Sequence, residues 1–313
     1  MSTTTPRVVT VIGAGTIGLG WVTLFLAHGH RVRVNSTRPD VEPSVREAVR
    51  LLAPGLPGAH PDPAELLERL EVVPDLERAV DGADVVQENT PENLELKQEL
   101  FARLGKAAAP HTLLLSSTST LLPEALGARM ADPSRVLVGH PFNPPHVVPL
   151  VEVVAAAHTD PAALQSTVDF YRGSGKVPIV LRKPIAAFVA NRLQSALLQE
   201  SIHLVREGVV TVEELDAVVT NSIGLRWATM GPFQSFHLGG GLGGLRKWLT
   251  TLGAGLQKGW EGLGRPVLDE DTIELLLAQA DDAFGAHRYD ELVARRDRLQ
   301  RTVLEALRDA ETS

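Results

Sequence analysis

Apolar residues recur along this chain with two periods. Up to about residue 183, short β-branched runs alternate with longer stretches whose apolar positions return every three or four residues. The runs predict strands at Arg7–Ile12, Arg31–Asn35, Asp84–Glu88, Thr112–Ser116, Val136–Val138, Pro149–Val154 and Gly175–Leu181. Helical patterns lead up to Ala27, from Pro91 to about Leu104, and over Pro161–Arg172. Pro39–Pro74 reads as helical pieces broken by surface turns at Pro54–Gly58 and Pro61–Pro63. This alternation predicts an α/β fold, a Rossmann-type doubly wound parallel sheet. From Ile185 the pattern turns helical, at Ala187–Glu207, Val212–Ser222 and, in pieces, Asp271–Ala310, with the glycine-rich stretch 239–244 as a flexible connection. The expected layout is therefore an α/β domain over 1–183 and a smaller all-helical domain over 184–313.

The first strand runs into Gly13-Ala14-Gly15-Thr16-Ile17-Gly18, and a helix follows. In a strand–GxGxxG–helix unit the first glycine permits the turn, the second lets a pyrophosphate approach the backbone, and the third lets helix and strand pack closely. Free N–H groups and a partial positive charge at the helix N-terminus complete a dinucleotide site. The end of the second strand is where an acidic residue would hold the adenosine ribose, and the chain has Asn35-Ser36-Thr37-Arg38 there. No carboxylate repels a 2′-phosphate, and a guanidinium is available to bind one, so NADP(H) is expected ahead of NAD(H). The alternative is that Asn35 holds a plain ribose and Arg38 faces solvent.

His140 closes one apolar run and Glu152 lies inside the next, with Pro141, Pro144, Pro145 and Pro149 between them. A proline-stiffened loop that folds back would bring the two strand ends together, and a carboxylate on one imidazole nitrogen leaves the other free to move a proton. Alone, such a pair reads first as a strand-end histidine satisfied by backbone and a glutamate on a solvated edge; the dinucleotide turn at the start of the chain favours the catalytic reading. Ser119 and His140 both lie just past strand ends, the edge at which ligands bind in doubly wound sheets.

Net charge is −8, which argues against a nucleic-acid surface. No cysteine is present, so disulfides, thiolate catalysis and cysteine-ligated zinc are excluded, and a cytoplasmic location is expected. No stretch has the length and apolarity of a membrane span, and no signal peptide is apparent.

Together GAGTIG, Pro91-Glu92-Asn93-Leu94-Glu95-Leu96-Lys97, Ser117-Thr118-Ser119, HPFNPP with LVEV, and Phe188-Val189-Ala190-Asn191-Arg192-Leu193 resemble the 3-hydroxyacyl-CoA dehydrogenase family. Gly224–Ala228 and Met230-Gly231-Pro232 resemble its branch of L-carnitine and L-gulonate dehydrogenases, lambda-crystallin and polyketide-tailoring ketoreductases. The resemblance implies His140 as general acid/base and Glu152 as its partner. It implies Ser119 on the substrate oxygen, Asn191 completing the site, Glu92 and Lys97 near the nicotinamide half of the cofactor, and a homodimer formed through the helical domain. Asn35 departs from the family's ribose-binding aspartate.

The segment Pro39–Pro74 contains no lysine, and its Arg46, Arg50 and Arg69 are outnumbered by acidic residues, a poor field for CoA phosphates. Arg226 is a candidate for a substrate carboxylate, with a structural salt bridge as the alternative. The expectation is a ketoreductase acting on a small non-CoA β-keto acid, such as a polyketide-derived one. Alternatives are a 3-hydroxyacyl-CoA, L-carnitine or L-gulonate dehydrogenase, or a non-catalytic crystallin-like protein or cofactor sensor.

Overall fold

The computed structural model describes residues 5–58 and 61–312. In chain order the elements are β1 Val8–Ile12, α1 Thr16–Ala27, β2 Arg31–Asn35, α2 Val41–Leu52, α3 Pro63–Leu67, β3 Leu70–Val72, α4 Leu76–Val80, β4 Val85–Glu88, α5 Leu94–Ala107 and β5 Leu113–Ser116. They continue with α6 Pro123–Leu126, β6 Val136–Pro141, β7 Leu150–Val154, α7 Pro161–Gly173, β8 Val177–Val180, α8 Ala190–Arg206, α9 Val212–Thr220, α10 Ile223–Thr229 and α11 Pro232–Gly239. Last come α12 Gly244–Lys247, α13 Leu256–Glu261, α14 Glu270–Phe284 and α15 Tyr289–Thr312. No described helix is long and apolar enough to cross a membrane.

The sheet has the order β3-β2-β1-β4-β5-β6-β7-β8. It is parallel from β3 to β6; β7 runs antiparallel to β6, and β8 parallel to β7. The central strands carry Val, Ile and Leu on both faces, as a sheet covered on both sides requires, and Val9, Val11, Leu114, Leu115, Leu137 and Val138 are fully buried. Helix α1 is apolar around its circumference and sits in the core, where the Trp21 and Phe25 rings stack at 5.0 Å.

Two corrections concern local structure. The segment 39–74 holds a strand as well as helices: β3 is too short and too charged, with Glu71 at its centre, to announce itself. Residues 239–261 form a chain of short helical and 3-10 turns, because the spaced apolar residues Leu245, Trp248 and Leu249 sustain helical pairing between glycines. Phe236 and Trp248 stack there at 4.2 Å.

The chain divides into two compact units. One takes residues up to Asn191 and again from Ala294; the other is Arg192–Val293. Phe188, just past the expected boundary at 183/184, is fully buried in the sheet unit's core. The C-terminal stretch also belongs with the sheet unit: Asp297 bonds His146 and Arg301 bonds the Pro54 carbonyl. The second unit is entirely helical.

Candidate active site

The Gly-rich turn has the form a dinucleotide needs. Gly13 has φ +91°, and a side chain there would meet the Asn89 carbonyl at 2.7 Å. A Cβ on Gly18 would meet the Gly13 carbonyl at 2.0 Å, whereas one on Gly15 would meet nothing within 4 Å. The two closed positions make the turn, and the open one faces the space a pyrophosphate would occupy. Gly15 caps α1 without a side chain, Gly15 and Thr16 are exposed, and no acidic residue lies in the helix's first turn. The leading N–H groups therefore lack intrahelical acceptors. Ala14 is buried and Ile17 half-buried against the core. The residues fit a dinucleotide.

At the end of β2, Asn35 is buried and its amide donates to the carbonyls of Val73 and Pro74, both at 2.9 Å. Both N–H groups are spent on the exit from β3, so Asn35 has no donor left for a phosphate. Ser36 accepts a bond from the Arg38 backbone N–H, and Thr37 is exposed. The exposed Arg38 guanidinium donates to the Ala14 carbonyl at 3.0 Å, which holds a positive charge beside the Gly-rich turn.

The ends of β4 and β5 carry a buried polar network. Glu88 is fully buried and accepts from Lys97 Nζ at 2.6 Å, from the backbone and hydroxyl of Thr90, and from Ser116. Lys97 is 1% exposed and also donates to the Thr90 carbonyl, so it braces the turn after β4 from within. Neither Glu88 nor this pairing was legible in the sequence, where Glu88 reads as a strand end. Helix α5 begins at the Asn93 cap and not at Pro91, because Glu92 turns aside. It accepts from the Thr118 and Thr120 hydroxyls and from the Ser119 and Thr120 amides. Burial works to raise the Glu92 pKa, but these bonds and Lys97 outweigh it and hold the carboxyl below the ordinary range.

Ser117 accepts from Trp21 Nε1 at 3.0 Å and Gln87 Nε2 at 2.9 Å, and donates to Asn89 at 2.7 Å. Of the five hydroxyls from Ser116 to Thr120, among the described residues, only that of Ser119 has no protein partner. Ser119 is half-buried, just past the end of β5.

Beside β5, β6 ends in the proposed proton carrier. The antiparallel register sets His140 directly opposite Glu152. His140 Nδ1 lies 2.9 Å from Glu152 Oε2, with the two side chains 6% and 3% exposed. The other carboxylate oxygen, Oε1, accepts the N–H groups of Val189 at 2.9 Å and Ala190 at 3.0 Å. Burial pushes the Glu152 pKa upward; the bonds from His140, Ala190 and Val189 prevail and keep it lowered, hence ionised. The two N–H groups are aimed by a strained turn: Ala187 and Phe188 have φ of 60° and 50°, a region costly for residues with a side chain. That turn also brings the Phe188 ring centroid to 5.2 Å from that of His140, while the Phe142 ring stands T-shaped to it with centroids 5.7 Å apart. With Nδ1 committed to Glu152, His140 Nε2 is the nitrogen left to exchange a proton.

Asn191 follows Ala190 in the first turn of α8, half-buried, and its amide has no partner among the described residues. Arg226 is exposed on α10 in the second unit. Sequence reasoning missed the role of Gly139, where an added Cβ would fall 1.8 Å from the Tyr171 hydroxyl. That hydroxyl donates to Gln87 at 2.7 Å, and only glycine admits it beside His140.

The profile of the 3-hydroxyacyl-CoA dehydrogenase NAD-binding domain matches residues 8–184, and that of the family's C-terminal domain matches 188–270. The chain is 42% identical over 302 residues to an L-carnitine dehydrogenase of Streptomyces coelicolor, covering 96% of this chain and 94% of that one. It is 39% identical over 298 residues to the L-carnitine dehydrogenase of Pseudomonas aeruginosa, covering 95% and 93%. The crystal structure of a 3-hydroxyacyl-CoA dehydrogenase from Archaeoglobus fulgidus matches with a TM-score of 0.67 at 27% identity, over 98% of this chain and all of that one. With a dinucleotide turn, a histidine–glutamate pair at the carboxyl edge of the sheet and these full-length likenesses, the chain belongs to the 3-hydroxyacyl-CoA dehydrogenase family of nicotinamide-dependent hydride-transfer enzymes.

Proposed function

We propose that the protein interconverts the 3-hydroxyl and 3-keto forms of a small free acid, with a carnitine-like 3-hydroxy acid as the first candidate substrate. The observation that carries this reading is the buried His140–Glu152 pair with a free serine hydroxyl past the neighbouring strand. The bound dinucleotide supplies the hydride acceptor or donor. In oxidation, His140 Nε2 takes the hydroxyl proton and Ser119 holds the substrate oxygen. Glu152 stabilises the resulting imidazolium and fixes which nitrogen reacts. Reduction reverses the proton's path. Asn191 is assigned to the substrate.

The preference for a free acid over a CoA thioester is supported by the segment after β2. All three of its arginines are engaged within the protein: Arg46 with Glu42 at 2.8 Å, Arg50 with Glu47 at 3.5 Å, and Arg69 with the Leu26 carbonyl at 2.8 Å. The curated relatives named above are L-carnitine dehydrogenases. Turnover of L-carnitine, other free 3-hydroxy and 3-keto acids including a polyketide-type β-keto acid, and acetoacetyl-CoA tests the reading. A kcat/KM highest on the CoA ester and suppressed by free CoA overturns it.

We infer that NADP(H) is favoured over NAD(H), supported by the missing carboxylate at Asn35 and by the guanidinium of Arg38 docked on Ala14. A homodimer through the helical unit belongs to the same reading. Among the described residues of that unit, Val205 is the only buried apolar side chain, whereas Leu193, Leu225, Phe233 and Val267 are each more than half exposed. A unit of that size without a core requires a partner to bury those faces, and a second copy has the same unmet surface. A monomer at micromolar concentration by sedimentation would contradict this.

A further inference from the structure

The loop that joins His140 to Glu152 is held by groups outside the proton-transfer pair. On one side Lys176 Nζ, 5% exposed as a residue, donates to the carbonyls of Pro145, at 2.6 Å, and Val148. On the other stands the C-terminal helix α15. Asp297 Oδ2 lies 3.1 Å from His146 Nε2 across 151 residues of sequence, and the two side chains are 7% and 1% exposed. Asp297 Oδ1 takes Arg296 at 2.7 Å, so the carboxylate is anchored from both oxygens. Burial alone would raise the Asp297 pKa, but the bonds from His146 and Arg296 override it and keep the group ionised.

The clamp is closely fitted. A Cβ on Gly55 would press on the Asp297 side chain at 3.1 Å, and one on Gly20 would strike Pro145 at 2.6 Å and approach His146 Nδ1 at 3.4 Å. His146 Nδ1 is buried without a partner among the described residues, so the ring's one hydrogen bond is the one from Nε2 to Asp297. The loop thus fixed carries Phe142, whose ring stands T-shaped to that of His140 with centroids 5.7 Å apart.

We propose that Asp297 is a positioning residue for the reaction: through His146 it fixes the 142–149 loop, and through Phe142 it holds the His140 ring on Glu152. The reaction meant is the one proposed above, so the test includes a readout that needs no turnover. That readout is the titration of His140 followed by NMR of its ring C–H signals, assigned with His140→Gln and recorded for the full chain and for Asp297→Ala and Asp297→Asn. Asp297→Ala leaves His146 and Arg296 unpaired and lets the ring slip from Glu152. The His140 titration then moves to lower pH, and kcat falls about tenfold or more, with the Kd for dinucleotide unchanged. Asp297→Asn keeps an oxygen for His146 Nε2 and recovers kcat to within about threefold, with a smaller displacement in the same direction. Should the alanine variant not fold, the asparagine variant decides alone. An unmoved His140 titration, or an unchanged kcat, overturns the proposal. If the wild-type protein turns over no 3-hydroxy acid, the proposed function fails while the titration still decides the clamp.

Discussion

Glu152→Gln preserves size and removes one charge. Its consequences follow from which atoms the carboxylate serves: one oxygen accepts from His140 Nδ1, and the other from the N–H groups of Val189 and Ala190. A glutamine has one oxygen. If that oxygen faces the two amides, the NH2 faces His140, and Nδ1 must become an acceptor, which shifts the proton to Nε2, the nitrogen required to receive it in oxidation. If the amide is reversed, two buried N–H groups face an NH2 and go unsatisfied, at a cost of about 1–3 kcal/mol. In both orientations the charge-assisted bond to the imidazolium disappears, a loss of about 1.5–3 kcal/mol. At about 1.4 kcal/mol per tenfold, kcat falls on the order of 10- to 100-fold. The assay is the pH dependence of oxidation, with dinucleotide affinity measured on the same sample by fluorescence. The acid limb of kcat/KM moves to lower pH, because an imidazolium without its carboxylate gives up its proton more readily. A kcat within twofold of wild type and an unmoved acid limb would refute the pairing as the source of His140 reactivity.

Gly139→Ala drives a methyl into the Tyr171 hydroxyl and breaks its bond to Gln87, costing about 3 kcal/mol in urea unfolding from overpacking and an unsatisfied amide. Adding Tyr171→Phe recovers part of that loss, and strict additivity would contradict the contact. Arg38→Ala weakens NADPH about tenfold in fluorescence titration and leaves NADH nearly unchanged, and an unmoved ratio of affinities denies Arg38 the phosphate. Burial lowers the Lys176 pKa to about 7. Between that value and the unfolded value of 10.5 the unfolded chain binds the extra proton, so this group makes stability rise with pH across that window. Lys176→Met removes that part of the slope, and an identical slope in unfolding measurements from pH 7 to 10 shows the lysine charged throughout.

The strands of the central sheet were legible because parallel strands covered on both faces read as near-continuous apolar runs; Arg31–Asn35 matches β2 residue for residue. The His140–Glu152 pair was legible as two strand ends separated by a proline-rich loop, and the antiparallel register makes the two residues opposite neighbours. What escaped the sequence depends on distant partners. Asn35 gives its N–H groups to the exit from β3, a strand of only three residues that the sequence does not announce. Lys97 reads as a cofactor contact by resemblance, yet its ammonium is buried on Glu88. Asp297 lies in a helix of high charge, and nothing local indicates that it returns to the loop after His140. Of the hydroxyls from Ser116 to Thr120, the sequence could not tell the four with partners from the free one, since each partner comes from another strand or turn.

Everything proposed for the reaction depends on His140 carrying the proton. That role is tested most directly by the initial rate of 3-hydroxy acid oxidation in His140→Gln, with the dinucleotide Kd measured on the same preparation. The variant loses kcat by a factor on the order of 10²–10⁴ with the Kd unchanged. A variant that binds dinucleotide normally and turns over at close to the wild-type rate would contradict it.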